Sequence, residues 1–309
     1  MAYPKVTVVG AGFVGAGVAQ RLLEKNLANV VLIDVVEGMP QGKALDMMES
    51  APIEGFRTTI TGTNSYDDTK NSDLIVITAG LARKPGMSRD DLQAKNAEIV
   101  GGIVSEVAPR SPQAILIIVT NPLDVMTYLA FKKSGFSHKR VIGMAGVLDS
   151  ARYAYFIACE LQADPAHIEA IVLGGHGDLM VPVPQHSKVR GKSITELISK
   201  ERIEAINQRA RDGGIEIVNL LKTGSAYYAP SSSVVAMAEA ILRDTGRLLP
   251  CCVYLTEEYG IKDMYCGVPA KLGRNGVREV VELALSEEEK SALKRSAEHV
   301  REFVVKLKM

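Results

Sequence analysis

The sequence predicts an α/β protein: a doubly wound parallel sheet of the Rossmann type, followed by a second, substrate-binding α+β domain. Three observations point there. Short apolar runs rich in β-branched residues recur through residues 1–145, a G-x-G-x-x-G string follows the first of them, and the pattern changes after Leu148.

The runs at 6–9, 30–33, 74–77 and 115–119 show no apolar/polar alternation, as expected of strands buried on both faces. Between them, residues 14–25 and 92–108 have helical spacing. This strand–helix–strand repetition assigns residues 1–145 to a nucleotide-binding domain with right-handed crossovers and leaves 146–309 as the substrate domain. In the second part a helix is expected over 149–162, then antiparallel strands at 168–172 and 181–189 around a turn at His176. Helices follow at 201–223 and 231–243, the first weakened at its middle by Gly213 and Gly214. Strands are expected at 249–255 and 277–283.

The final helix has the clearest signature. Ser286 and Glu289 make a capping-box pattern, and Leu293, Ala297, Val300, Val304 and Leu307 form one apolar stripe. Acidic residues at 287–289 and lysines at 306 and 308 suit the helix dipole. With no repeat, low-complexity tract or long linker, the two halves should pack closely.

Composition excludes several classes of function. A chain of 309 residues can bury a substantial core, and 47% hydrophobic with 23% charged residues is the profile of a soluble globular protein. Basic and acidic residues balance at 36 each, which gives no support to nucleic-acid or membrane-surface binding. No segment approaches the ~20 apolar residues of a membrane span. Residues 1–5 pass directly into the first strand, so no signal peptide is expected. Cys159, Cys251, Cys252 and Cys266 form no CxxC pair and read as buried free thiols in a reducing cytoplasm. The five histidines (138, 167, 176, 186, 299) lack metal-ligand spacing, so no metal is expected.

Gly10, Ala11, Gly12, Phe13, Val14 and Gly15 lie between a strand and an amphipathic helix, with Asp34 at the end of the next strand. In that context the glycines serve a tight turn, close approach to a pyrophosphate, and close helix–strand packing. Asp34 would accept hydrogen bonds from the adenosine ribose, and its charge would repel a 2′-phosphate. Val35, Val36 and Glu37 supply no cation to offset that, so NAD is favoured over NADP.

A second constellation surrounds His176, which sits in a collar of Gly174, Gly175 and Gly177. An imidazole is the side chain that takes and returns a proton near neutral pH, although the same string would also serve as an ordinary turn. Residues 81–89 form a Pro- and Gly-marked loop whose cations include Arg83 and Arg89, either a solvated basic loop or a lid over an anionic substrate. Thr120, Asn121 and Pro122 end the strand at 115–119, so the Asn121 amide should project into the same crevice. Arg152 follows Asp149 by three residues on one helical face. On the surface these two would be a plain ion pair; buried, Arg152 suits bidentate capture of a carboxylate and Asp149 could hold the His176 ring.

Taken in order, the motifs at 10–15, 82–89, 120–124, 148–152 and 174–178 resemble the lactate/malate dehydrogenase family over nearly the whole chain, in its malate-acting branch. The resemblance implies NAD-dependent interconversion of malate and oxaloacetate. It assigns His176 as proton donor and acceptor, Asp149 as its partner, and Arg152 as binder of the shared carboxylate. Arg89 would polarise the reacting carbonyl, Asn121 would bind substrate beside the nicotinamide, and Asn96, Val119 and Thr120 would contribute to the NAD site. Arg83 decides the substrate, because the corresponding position is neutral in lactate enzymes and arginine in malate enzymes. The second carboxylate of oxaloacetate must not be enclosed without a countercharge. The first strand begins near Lys5, without the extended arm of the animal lactate tetramers, yet a homo-oligomer is expected, a tetramer in preference to a dimer.

Two alternatives stand beside this reading. A lactate or other 2-hydroxyacid dehydrogenase on the same fold would be separated by substrate ratios. A non-catalytic NAD-binding protein would leave His176, Asp149 and Arg152 without a task.

Overall fold

The computed structural model describes residues 3–81 and 88–307. Its first half supplies six parallel strands: Lys5–Val9 (β1), Asn29–Ile33 (β2), Ile60–Thr63 (β3), Leu74–Ile77 (β4), Ile115–Ile118 (β5) and Val141–Gly143 (β6). Their order is β3-β2-β1-β4-β5-β6. The chain reverses direction of travel at β1, and at such a switch point a crevice opens beyond the carboxyl ends of the strands. Helices Phe13–Glu24 (α1), Met39–Glu54 (α2), Arg89–Arg110 (α3) and Leu123–Ser134 (α4) connect them. Strands β4 and β5 are buried at every position, which explains their unbroken apolar sequence. The edge strand β3 reads Ile-Thr-Gly-Thr and is half exposed, so it gives no comparable signal.

The second half begins with Gly146–Leu161 (α5), then the short strands Ile168–Glu169 (β7), Val172–Leu173 (β8), Val181–Pro182 (β9), Lys188–Val189 (β10) and Lys192–Ser193 (β11). After these come Lys200–Leu221 (α6), Tyr228–Leu242 (α7), Leu248–Leu255 (β12), Met264–Gly273 (β13), Gly276–Val280 (β14) and Glu287–Val305 (α8). The continuous strands expected at 168–172 and 181–189 are each divided between two sheets. β7 and β10 pair in one and β8 and β9 in another. Pro182 and Pro184 lack the N–H a longer ladder would need, and a 3-10 turn, Pro184–His186, intervenes. β13 is absent from the strands expected from sequence, because Gly267, Pro269 and Gly273 interrupt its pattern.

β13 matters because it ties the halves together. β12 pairs antiparallel with β13 and meets β6 at Cys252 and Gly143, giving a nine-stranded sheet in the order β14-β13-β12-β6-β5-β4-β1-β2-β3. The two halves therefore share one sheet. Gly143 permits the junction, since a Cβ there would lie 2.8 Å from the Cβ of Cys252 and 2.6 Å from the Thr127 hydroxyl. One large apolar core spans both halves, and a smaller one lies around Tyr153 and Ile157 of α5 and Ile203 and Ile206 of α6.

α6 runs unbroken through Gly213 and Gly214. In α8 both halves of the Ser286–Glu289 capping box are present, and Leu293, Ala297, Val300 and Val304 are buried. Cys251, Cys252 and Cys266 are buried free thiols, whereas Cys159 is exposed, contrary to expectation, because it lies on an outward turn of α5. Among the described residues no helix is long and apolar enough to cross a membrane.

β13 also fixes the loop that carries His176. The Gly174 N–H donates to the Gly267 carbonyl at 2.8 Å, and a Cβ on Gly267 would run into the Gly174 carbonyl oxygen. Gly267→Ala is expected to cost about 1–3 kcal/mol through forced displacement of this contact, read as a fall in Tm of several degrees by calorimetry; an unchanged Tm would deny the close approach.

Candidate active site

The turn after β1 divides its tasks among three glycines. Gly10 adopts φ 105°, and a Cβ there would fall 2.7 Å from the Ala79 amide nitrogen of the neighbouring strand end. Gly12 is the N-cap of α1 and faces open space. At Gly15 a Cβ would collide with the Gly10 carbonyl, so its absence lets α1 pack on β1. The open face at Gly12, with the free N–H groups of the first turn of α1, fits a pyrophosphate. Asp34 closes the cradle: Oδ2 accepts the Ala11 N–H at 2.7 Å and Oδ1 the Val36 N–H at 3.0 Å. A carboxylate held in this way keeps lone pairs for a ribose diol.

The fold adds a cation that the residues after Asp34 do not provide. Lys43, on α2, donates from Nζ to the Ala11 carbonyl at 2.5 Å. Phe13 is exposed and stacks on Tyr227 with ring centroids 5.0 Å apart. Val14 packs partly buried against the core, and Thr120 is buried with its hydroxyl donating to the Ala79 carbonyl at 2.6 Å. Asn96 is fully buried, and its amide joins Leu81 to the Asn121 carbonyl. It therefore acts on the crevice by bracing the segments at Leu81 and Asn121, including the strand end that carries Val119.

His176, Asp149 and Arg152 come together at the junction of the halves. Asp149 is 2% exposed, so its pair with Arg152 is buried and not a surface ion pair. The His176 Nδ1 lies 2.8 Å from Asp149 Oδ2, and Arg152 Nη1 lies 3.5 Å from Oδ1. An ionised carboxylate accepts from Nδ1–H, which leaves Nε2 as the proton-exchanging atom of the neutral ring. Burial disfavours a charged imidazole, but the Asp149 charge and hydrogen bond outweigh it, with Asp124 adding to them against Arg152. The net effect lifts the His176 proton affinity above that of a free imidazole. Gly213 and Gly214 of α6 lie alongside the Arg152 side chain.

A cavity of about 470 Å³ opens beside His176, lined also by Arg89, Asn121 and Asp178. Arg89 is the first residue of α3, whose N-cap Ser88 forms a capping box with Asp91, so the helix starts three residues before the expected Leu92. Its guanidinium meets Asp178 at 3.0 Å, both side chains being largely exposed. Arg83 lies outside the described residues. No cluster of metal-ligating side chains occurs among the described residues.

Two residues important to this geometry carried no assignment from sequence. Asp124 accepts the His176 backbone N–H at 2.9 Å, and Ser296 of α8 accepts the Gly175 N–H at 2.9 Å. Asp124 falls in the 120–124 motif, where a signal existed; Ser296, in a plain amphipathic helix, offered none.

A dinucleotide cradle, together with a carboxylate-held histidine on a cavity lined by Arg89 and Asn121, defines a nicotinamide-dependent dehydrogenase of the two-domain α/β class. Residues 4–143 match the lactate/malate dehydrogenase NAD-binding domain, and residues 146–308 match the α/β C-terminal domain of the same enzymes. The chain belongs to the lactate/malate dehydrogenase family. It is 58% identical to the malate dehydrogenase of Chloroherpeton thalassium over 96% of both chains. In structure it is similar to the malate dehydrogenases of Cryptosporidium parvum (TM-score 0.96, 42% identity, 99% of both chains) and Salinibacter ruber (TM-score 0.94, 51% identity, 98% and 97% of the two chains). It is similar as well to the Cryptosporidium parvum lactate dehydrogenase complexed with lactic acid and NAD (TM-score 0.95, 39% identity, 99% and 98%), so the fold by itself does not choose the substrate.

The His176 environment has a signature in stability. The folded ring binds its proton more tightly than an unfolded imidazole of pKa 6.5, so its contribution is fully present below that value and is lost as pH rises through the raised folded value. The difference in unfolding free energy between the parent and His176→Asn should therefore shrink as pH increases above 6.5. A difference that grows with pH in denaturant titrations would reverse this assignment.

Proposed function

We infer that this protein interconverts malate and oxaloacetate, with NAD as hydride carrier. The observation that carries the reading is the His176–Asp149–Arg152 group, whose ring lies on the cavity that Arg89 and Asn121 also line. The relatives at 51–58% identity named malate dehydrogenases, matched over nearly their full length, support the choice of acid.

When bound, the nicotinamide accepts or supplies hydride at its C4. In the oxidation direction His176 takes the malate hydroxyl proton at Nε2, while Asp149 holds Nδ1–H and stabilises the imidazolium that forms. Arg152 binds the carboxylate beside the reacting carbon through its planar fork. In the reverse direction protonated His176 and Arg89 polarise the ketone, and Asn121 holds substrate at the strand end. Arg83 neutralises the second carboxylate of oxaloacetate. Cofactor contacts come from Gly10, Ala11, Gly12, Phe13, Val14, Gly15 and Asp34, with Val119, Thr120 and Asn121 forming the nicotinamide edge that Asn96 braces from within.

Residues 1–145 and 146–309 serve as cofactor and substrate domains joined through the shared sheet. The free thiols suit a cytoplasmic location. Assembly of identical subunits, a tetramer in preference to a dimer, belongs to the same reading; sedimentation equilibrium tests it, and a monomer at working concentration would exclude it.

His176→Asn is expected to lower kcat by at least ~10²-fold, the lower end for a general acid–base group, with NADH binding retained by fluorescence titration. Near-full turnover would remove the ring from the mechanism. For Arg83→Gln, the preference in kcat/KM for oxaloacetate over pyruvate should fall by at least about 10-fold, the loss of one charge-assisted hydrogen bond. An unchanged ratio would count against Arg83 as the residue that selects the acid.

A further inference from the structure

Asp124 is a buried carboxylate to which the mechanism above gives no work. It is the second residue of α4, which starts directly after Asn121 and Pro122, and it lines the cavity beside His176 at 4% exposure. Its Oδ2 accepts the His176 backbone N–H at 2.9 Å and would lie 3.3 Å from a Cβ on Gly175. Oδ1 is buried without a hydrogen-bond partner.

The surroundings fix which form of this carboxyl the site suits. Burial lifts its proton affinity above that of a free carboxyl, and the His176 amide, the Cys252 thiol, the His176 charge and the carboxyl's own amide offset only part of the rise. Cys252 on β12 and Cys266 on β13, on the other side of the carboxyl, are held as neutral thiols by burial. A protonated carboxyl needs an acceptor for its O–H, and Oδ1 faces none. The His176 N–H and the positive end of α4 match the ionised form. Other charged or titratable groups around the ring are Asp149 and Arg152 from α5, Arg89 from α3, Asp178 from the histidine's own loop and His299 from α8.

We propose that Asp124 is a positioning residue for proton transfer: an ionised carboxylate that pins the His176 loop and sets the ring's proton affinity jointly with Asp149. The proposal rests on the functional reading above. It makes the ring's proton affinity depend on two negative charges from two elements, α4 before the boundary and α5 after it. The hydrogen bond from the His176 backbone keeps the Asp124 charge at a fixed place relative to the ring.

The test is the pH dependence of kcat/KM for oxaloacetate at saturating NADH, where activity falls as the imidazolium loses its proton. Asp124→Asn retains an acceptor for the His176 N–H and removes the charge; its midpoint should move down by about one pH unit, with the low-pH plateau within a few-fold of the parent. Asp124→Ser, a smaller neutral acceptor, should shift in the same direction and serves where the asparagine variant does not fold. Ser296→Ala removes the neutral pin on Gly175 and should lower kcat with the midpoint unmoved. A midpoint in either Asp124 variant that coincides with the parent's, or an equal shift in Ser296→Ala, would overturn the proposal. A parent that fails to oxidise NADH with oxaloacetate would instead refute the functional reading.

Discussion

Burying the Asp149 carboxylate is the constraint around which the site is organised. A charge taken out of water costs several kcal/mol unless its hydrogen-bonding capacity is met. Here one oxygen faces the His176 ring and the other the Arg152 guanidinium. That arrangement fixes the imidazole tautomer, raises the ring's proton affinity and holds a guanidinium against the carboxylate. Neighbouring residues of α5 are committed to the same end. Ser150 accepts the Val172 N–H at 3.0 Å and ties α5 to the strand leading into the histidine loop. Asp149 and Ser150 thus reach the ring and the strand from a single helical turn, with Arg152 of the same turn paired to Asp149.

The rest of the molecule holds that loop at the cofactor edge. Because β12 and β13 continue the parallel sheet, the Gly267 carbonyl stands where the Gly174 N–H can reach it. α4 and α8 supply Asp124 and Ser296 from two further directions. Loop conformation and sheet continuity are therefore one requirement, and glycine at 143 and 267 is what close approach of the backbones demands.

Electrostatic arrangements differ across the site in a way that suits their tasks. The Arg89–Asp178 pair is exposed on both sides and contributes little to stability, in the range of 0–1 kcal/mol for such pairs. Releasing that guanidinium from Asp178 therefore costs little. Arg152 is largely enclosed, beside α6 and paired with Asp149. In the cradle, Asp34 and Lys43 bind the Ala11 amide and carbonyl respectively, so the acid has a cation close by on α2.

Much of this was legible in the chain itself. Runs such as Leu74–Ile77 declare buried strands, the three glycines declare a phosphate turn, and Ser286 with Glu289 declares a helix start, because each signal is local and periodic. His176, Asp149, Arg152 and Asp34 stood out because their chemistry is rare within such patterns. The tertiary structure alone decided that Asp149 is buried with Arg152 largely enclosed against it, that β13 exists despite Gly267 and Pro269, and that the two halves share a sheet. It alone brought Asp124, Ser296 and Lys43 to the site, from 52, 121 and 32 residues away from the groups they contact. Spacing along a chain reports neighbours on one helix or strand. Burial, and contacts between elements far apart in sequence, are set only when those elements pack.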